Sequence, residues 1–241
     1  MKSPLHYIGS KSIDFDKYKI KQSKIYCEPF GGGFNTGFNL AQQGYTGRII
    51  YNDLDYQVFN FWVQLQINSL ALLNEIDRLE KADFKQLILE DRHSKSEIEQ
   101  AAIEYLHRKH IRIGGLAKKV NKSTFEPLDL IIASEYIKNI EFNSISVFNF
   151  IKENPALNNE NTFILFDPPY IVNNVNNYYR CNSSQFSHKD LYSLIKDLKC
   201  RWLLTYNDNI SIQCMYKEFN IEKISRNVCG KKYTELFITN F

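Results

Sequence analysis

One segment near the start of the chain restricts the possible folds more than any other. Residues 25–27 form a short apolar run typical of a buried strand, and six glycines follow between Gly31 and Gly47. A helical segment begins near Phe38, and a second strand-like run covers residues 48–51. Because strand, turn, helix and strand in this order build a parallel sheet with crossover helices, the segment predicts an α/β fold.

The rest of the chain predicts two regions of different character. From residue 58 to residue 140 the apolar residues show helical spacing, and no convincing strand is recognisable. Residues 188–198 predict a helix with Ser187 as its N-cap. Strand-like runs return at residues 163–166, 202–206, 221–224 and 236–239. We predict a mostly parallel sheet with a C-terminal antiparallel hairpin, formed by residues 1–57 and 141–241, and a mostly helical insertion over residues 58–140.

Composition and charge restrict the classes of protein to which the chain can belong. The chain has 241 residues, of which 44% are hydrophobic, which suits one domain with a sizeable insertion. The net charge of +3 permits a nucleic-acid partner without requiring one. The five cysteines include no Cys-x-x-Cys pair and have no histidines at ligand spacing, so we expect reduced thiols and no metal site. With no signal peptide and no apolar run of about 18 residues, we expect a cytoplasmic protein without a membrane partner.

The glycine-rich segment at residues 27–37 is the first candidate binding site. Glycines let backbone N–H groups approach a ligand at the start of a helix, and in doubly wound sheets that ligand is usually nucleotide-like. The spacing is not G-x-G-x-x-G, because Thr36 replaces the third glycine, and it is not a P-loop. A tight connection without a ligand fits this segment equally well. Asp53, at the end of the second strand, shifts the balance towards an adenosine-containing cofactor, although alone it is more typical of a turn.

The tetrapeptide Asp167-Pro168-Pro169-Tyr170 follows a buried apolar run and is the candidate catalytic motif. The prolines fix two φ angles and remove two N–H donors, so the Asp167 carboxylate and the Pro168 carbonyl remain as rigid acceptors. Two such acceptors suit the exocyclic amino group of a base, whose lone pair is otherwise delocalised into the ring. Tyr170 offers a flat face on which a flipped-out base can stack. A proline-terminated strand without function is the alternative interpretation.

Together with the flanking motifs, this tetrapeptide resembles the Dam-like (alpha-group) DNA adenine methyltransferases, which use S-adenosylmethionine. The matching stretches are residues 4–11, 28–33, 52–53 and 167–170, with further similarity at residues 204–207 and 235–240. The motifs occur in the family's order, and the middle of the chain is not covered. The resemblance implies a Rossmann-like methyltransferase fold and site-specific transfer of a methyl group to the amino group of a flipped-out adenine in DNA.

The resemblance also implies roles for individual residues. Asp167, Pro168, Pro169 and Tyr170 would form the catalytic motif. The cofactor would be bound by Tyr7, Lys11, Glu28, Pro29, Phe30, Gly31, Gly33, Phe34, Asn35, Asp53, Leu54 and Asp167. A cation such as Lys11 can meet the methionine carboxylate of the cofactor. The family usually has a glycine where this chain has Phe34, and that ring would either pack over the cofactor or crowd it.

Basic residues in the helical region are the candidate DNA contacts. They are Arg108, Lys109, Arg112, Lys118, Lys119 and Lys122, with no acidic residue among them, and phosphate binding is their natural use. A solvated helical face is the usual alternative for such a run. In the Asn-rich segment 171–185, Tyr178, Tyr179 and Arg180 would close over the flipped base, and a disordered loop without this role is the alternative interpretation.

Three interpretations of the function stay open on the sequence alone. The first is a DNA adenine methyltransferase acting on double-stranded DNA, as a monomer and with a cognate restriction endonuclease as a possible partner. The second keeps the cofactor but acts on RNA adenine or on the exocyclic amine of cytosine. The third is a non-catalytic DNA-binding subunit with the same fold, against which the intact tetrapeptide argues.

Overall fold

A computed structural model describes most of the chain. The described residues are 2–7, 13–81, 94–112, 115–116, 127–171, 186–228 and 231–241, with the backbone alone described at 110–112, 115–116, 226–228 and 231–232. The chain divides into two compact units. The first unit comprises Met1–Asp14, Gly32–Tyr45 and Asp55–Phe142, and the second comprises Phe15–Gly31, Thr46–Leu54 and Asn143–Phe241. The helical insertion expected over residues 58–140 lies in the first unit.

A seven-stranded sheet dominates the second unit. Its strands are β1 (Ile25–Glu28), β2 (Arg48–Asn52), β5 (Glu141–Asn143), β6 (Thr162–Phe166), β7 (Arg201–Asn207), β8 (Asn220–Val228) and β9 (Lys231–Thr239). The strand order is β5-β2-β1-β6-β7-β9-β8. Strands β2, β1, β6 and β7 pair in parallel, whereas β9 runs antiparallel to β7 and β8 antiparallel to β9. The predicted fold class, a mostly parallel sheet with a C-terminal antiparallel hairpin, is confirmed.

The parallel register brings the ends of three strands to one edge of the sheet. Cys27 of β1 lies opposite Ile50 of β2 on one side and Ile164 of β6 on the other. Every residue of β6 is buried, as expected for a central strand that is covered on both faces. Ligands bind outside the carboxyl ends of strands in open α/β sheets, so the segments that follow β1, β2 and β6 are placed for binding.

The described residues also form eight helices. They are α1 (Asn35–Gln42), α2 (Tyr56–Ile67), α3 (Ser69–Glu80), α4 (Glu97–His110), α5 (Pro127–Ile137), α6 (Val147–Glu153), α7 (His188–Ile195) and α8 (Ile210–Met215). The predicted N-cap of α7 is confirmed, because the Ser187 side chain accepts a hydrogen bond from the backbone N–H of Asp190. Asp55, Ser146 and Asn209 cap α2, α6 and α8 in the same way.

Three short strands were missed by the sequence interpretation. Strands β3 (Ile111–Arg112) and β4 (Gly115–Leu116) form a small antiparallel pair inside the predicted helical region, and β5 has three residues. Two or three residues are too few for a hydrophobic alternation to be recognised. None of the helices among the described residues has the length and apolar character that a bilayer crossing requires.

Candidate active site

Asn52, the last residue of β2, holds the turn that follows β1. Its buried amide nitrogen Nδ2 donates to the backbone oxygens of Pro29, at 3.0 Å, and Ile145, at 2.9 Å. Its Oδ1 accepts from the backbone N–H of Ile145 at 3.1 Å, and its own carbonyl accepts from the N–H of Gly31 at 2.8 Å. This role of Asn52 was not predicted from the sequence, although a polar residue at the end of a buried strand is itself a signal of such bonding.

The residues next to this turn fit an adenosine-containing cofactor. Asp53 is half-buried, and Leu54 beside it exposes 56% of its surface, an apolar side chain available to a flat ring. Gly31 must be glycine here, because a Cβ would clash with the ring of Tyr51. Glu28 is buried and accepts from the hydroxyl of Tyr26 at 2.8 Å. An acid that can accept hydrogen bonds from a ribose, an exposed leucine and a glycine turn therefore follow two neighbouring strands, a combination that suits a nucleoside.

The part of the glycine turn that belongs to the first unit packs against Tyr7. Gly32 has a φ of +46°, and a Cβ on it would lie 2.9 Å from Cε1 of Tyr7. A Cβ on Gly33 would clash with the Cβ of Tyr7, and the Gly33 carbonyl accepts from Ser3 Oγ at 2.5 Å. The structure thus brings together two of the predicted cofactor residues, Tyr7 and Gly33, that lie 26 positions apart in the sequence.

Phe34 packs into the aromatic core of the first unit. It is 1% exposed, and its ring meets those of Trp62 and Phe142 edge-on at centroid distances of 5.7 and 6.1 Å. Its backbone has a φ of +52° at the N-cap of α1, a conformation in which glycine is favoured. The side chain therefore has a structural use that explains why a large residue occupies this position. Asn35, half-buried, is the first residue of α1.

Three side chains of the C-terminal strands hold the tetrapeptide that follows β6. Thr205 Oγ1 donates to Oδ1 of Asp167 at 2.5 Å. Asn207 Nδ2 donates to the backbone oxygen of Ile171, directly after the motif, at 2.9 Å. The Tyr170 hydroxyl donates to Oε1 of Glu235 at 3.1 Å. Pro168 is buried, while Asp167, Pro169 and Tyr170 are half-buried. The two prolines restrict the backbone, and the three hydrogen bonds hold the polar groups of this segment in place. None of these three supporting side chains was predicted from the sequence as a site residue.

The phenol of Tyr170 stays protonated in this environment. Burial, followed by the negative charges of Asp167 and Glu235, raises its pKa far above the ordinary value of 10.0. Its hydroxyl is therefore a donor throughout the working pH range. The ring lies 5.9 Å from that of Tyr206, whose hydroxyl is 2.8 Å from Nδ1 of His188. Burial lowers the pKa of His188, so its imidazole favours the neutral form.

Arg108, predicted to contact DNA phosphate, is buried inside the first unit. Its Nε is 2.6 Å from Oε1 of the fully buried Glu104, and a terminal nitrogen is 3.3 Å from Oδ2 of Asp55. Its guanidinium carbon lies 4.5 Å from the centroid of the Tyr7 ring. Burial alone would lower the pKa of Arg108, but Glu104, Tyr7 and Asp55 leave it raised. The guanidinium is therefore used within the protein, and we do not propose it as a phosphate contact.

The other predicted basic and aromatic contacts fall into two groups. Lys109 Nζ is 2.6 Å from Oε1 of Glu80, and Arg112 belongs to β3, where the backbone alone is described. The remaining predicted residues lie outside the described part of the chain: Lys11, Lys118, Lys119, Lys122, Tyr178, Tyr179 and Arg180. Their roles stay predictions.

The sheet order, with the candidate catalytic tetrapeptide at its edge, is that of the Rossmann-like methyltransferase fold. The sequence model of the D12 class N6 adenine-specific DNA methyltransferases matches residues 7–228, which is most of the chain. The protein therefore belongs to the D12 class N6 adenine-specific DNA methyltransferase family, and the resemblance inferred from the motifs is confirmed. No curated protein matches the chain significantly.

Solved structures with a similar course of the chain are distant in sequence. One is TrmN from Thermus thermophilus, with 12% identity, a TM-score of 0.42, and coverage of 94% of this chain and 46% of TrmN. Another is the rRNA methyltransferase AviRa from Streptomyces viridochromogenes, with 10% identity and a TM-score of 0.39. That match covers 99% of this chain and 90% of AviRa.

Proposed function

We propose that this protein is a site-specific DNA methyltransferase that transfers a methyl group from S-adenosylmethionine to the exocyclic amino group of a flipped-out adenine. The observation that carries the proposal is the supported tetrapeptide after β6, at the same sheet edge as the turn after β1 and Asp53 after β2. Membership of an adenine-specific family supports adenine as the acceptor base.

The tetrapeptide's own groups would make the amine reactive. The Asp167 carboxylate and the Pro168 carbonyl accept the two hydrogens of the amino group, which favours its pyramidal form and localises the lone pair. Thr205 fixes Oδ1 of Asp167, so the carboxylate does not have to be oriented when the base arrives. Tyr170 provides the face on which the extruded base stacks.

The cofactor would be held by residues of the turn after β1 and by residues at the end of β2. S-Adenosylmethionine supplies an electrophilic methyl group when it is bound. Asp53 would accept hydrogen bonds from its ribose hydroxyls, and Leu54 would cover one face of its adenine. The turn at Gly31 lets the backbone lie close to the ligand, and Lys11 would pair with the ligand's carboxylate.

Double-stranded DNA is the substrate that we propose. Lys118, Lys119 and Lys122 would contact phosphates, which sets register and affinity without reading the sequence. Tyr178, Tyr179 and Arg180 would lie over the extruded base. A cognate restriction endonuclease is the possible partner in the cell, because a methyl mark on adenine at its site would protect DNA from its cleavage.

The test is transfer of a labelled methyl group to matched duplex DNA and RNA. We expect label in DNA, recovered as N6-methyladenine, and sequencing with modified-base detection then gives the recognition site. Asp167→Ala should reduce transfer by about 10³-fold, because the amine loses a preorganised acceptor. Its thermal midpoint should fall by less than about 4 °C, the shift that 1 kcal/mol produces in a protein of this size. Label in RNA alone, or in cytosine, would refute the proposal.

A further inference from the structure

Strand β7 and the C-terminal hairpin both reach the candidate catalytic tetrapeptide through one face of the sheet. Asn207 of β7 lies directly opposite Glu235 of β9, and Thr205 is two positions before Asn207 on the same strand. Residues opposite each other, and residues two apart, point to the same face of a sheet. The three side chains on this face each bond to a different point of the segment from Asp167 to Ile171.

Glu235 acts on the one part of the motif that the prolines do not fix. Two successive prolines restrict the backbone as far as Pro169, but the side chain of Tyr170 can still rotate about two bonds. The hydroxyl of Tyr170 donates to Oε1 of Glu235, and its ring lies against Tyr206 at 5.9 Å. The ring is therefore held at its far end by Glu235 and lies beside a second aromatic ring.

We infer that Glu235 is a positioning residue that fixes the ring of Tyr170 for stacking on the target base. What the ring does rests on the proposed function, whereas the anchoring is a property of the fold. The hairpin would then belong to the catalytic apparatus as well as to the sheet.

A double-mutant cycle on the turnover number tests the anchoring. Glu235→Ala should lower kcat by on the order of 10²-fold, the effect of a small misplacement in a preorganised site. Glu235→Gln should restore most of this loss, because an amide oxygen accepts the same hydrogen bond. In a Tyr170→Phe background, Glu235→Ala should cause no further loss, since the hydroxyl through which it acts is gone. Multiplicative losses in the double variant would overturn the inference.

The same hairpin offers a matched control. Glu222 on β8 also accepts from a tyrosine hydroxyl, that of Tyr18 at 3.2 Å, and from Lys17 at 2.6 Å, but it bonds to no residue of the tetrapeptide. Glu222→Ala should leave kcat within about twofold of the wild type, because it removes an exposed ion pair. Equal losses of kcat in Glu222→Ala and Glu235→Ala would assign the effect to hairpin stability and reject positioning.

A measurement without substrate separates this inference from the proposed function. In protein labelled with ¹³C at the tyrosine Cζ atoms, the Tyr170 signal is assigned by its loss in Tyr170→Phe. Glu235→Ala should shift that signal, and Glu222→Ala should not. If the Tyr170 signal has the same chemical shift in Glu235→Ala as in the wild type, the anchoring is overturned even if DNA is methylated. A moved signal in a protein that methylates no DNA supports the anchoring and rejects the proposed function alone.

Discussion

The two units stabilise their candidate site residues with different chemistry. In the first unit, Tyr7 lies under the guanidinium of Arg108, which two carboxylates neutralise in a buried position. In the second unit, the motif ending in Tyr170 is held by hydroxyl and amide groups of the last strands, together with the carboxylate of Glu235. The first cluster, around Tyr7, depends on balanced buried charges. The second cluster, around Tyr170, depends mainly on uncharged hydrogen-bonding groups of the last strands.

This difference predicts different responses to substitution. A buried ion pair contributes little in net terms, but the removal of one partner leaves an uncompensated charge and is costly. A hydrogen bond from a hydroxyl contributes about 1 kcal/mol, so its loss affects orientation more than folding. The first cluster should therefore appear in measurements of stability, and the second in measurements of turnover.

The largest effect on folding is expected for Arg108→Ala. It removes the buried cation that pairs with Glu104 and Asp55 and should reduce the free energy of unfolding by about 3–5 kcal/mol. Urea denaturation followed by circular dichroism measures it. Lys138→Ala, which breaks an exposed pair with Glu135, should change stability by less than about 0.5 kcal/mol. A loss of similar size in both variants would remove the distinction between the two clusters.

A smaller effect, on DNA binding alone, is expected for three lysines of the predicted helical insertion. Replacing Lys118, Lys119 and Lys122 by glutamine should make the plot of log DNA-binding constant against log salt concentration less steep by about 2.7. Each of the three lost phosphate contacts contributes about 0.9 to the slope. Fluorescence anisotropy with a labelled duplex at several salt concentrations measures it. Arg108→Lys should leave the slope unchanged, because Arg108 is buried. An unaltered slope in the triple variant would exclude these lysines from the interface.

The smallest effect is a pH dependence from His188 in the second unit. Burial lowers its pKa in the folded state below 6.5, so the unfolded chain binds more protons in that range. Stability should therefore rise with pH through the region around 6.5 and fall as acid protonates the unfolded chain. His188→Gln, which keeps a polar partner for Tyr206, should flatten this part of the profile. Identical profiles for both proteins, measured by thermal unfolding from pH 5 to 8, would contradict the assignment.

Strand-based inference from the sequence succeeded where the sheet imposes the geometry. The apolar run of β6 and the parallel register place Asp167 at the same edge as Asp53, which the order of the motifs already predicted. Charge-based inference did not succeed in the same way, because the sequence does not reveal that Arg108 faces Glu104 one helical turn earlier and is buried. Glu235 could not be found either, since its link to Tyr170 depends on the pairing of two strands distant from the motif.

The ring of Phe34 makes this residue hard to replace by the glycine that is usual in the family. Restoring the glycine usual in the family would relieve a left-handed backbone, a gain of about 1–2 kcal/mol. It would also empty the space beside Trp62 and Phe142, a loss of about 3–5 kcal/mol for a large buried ring. Phe34→Gly should therefore destabilise the fold on balance, and a loop transplanted from a homologue would need compensating changes at both aromatic neighbours.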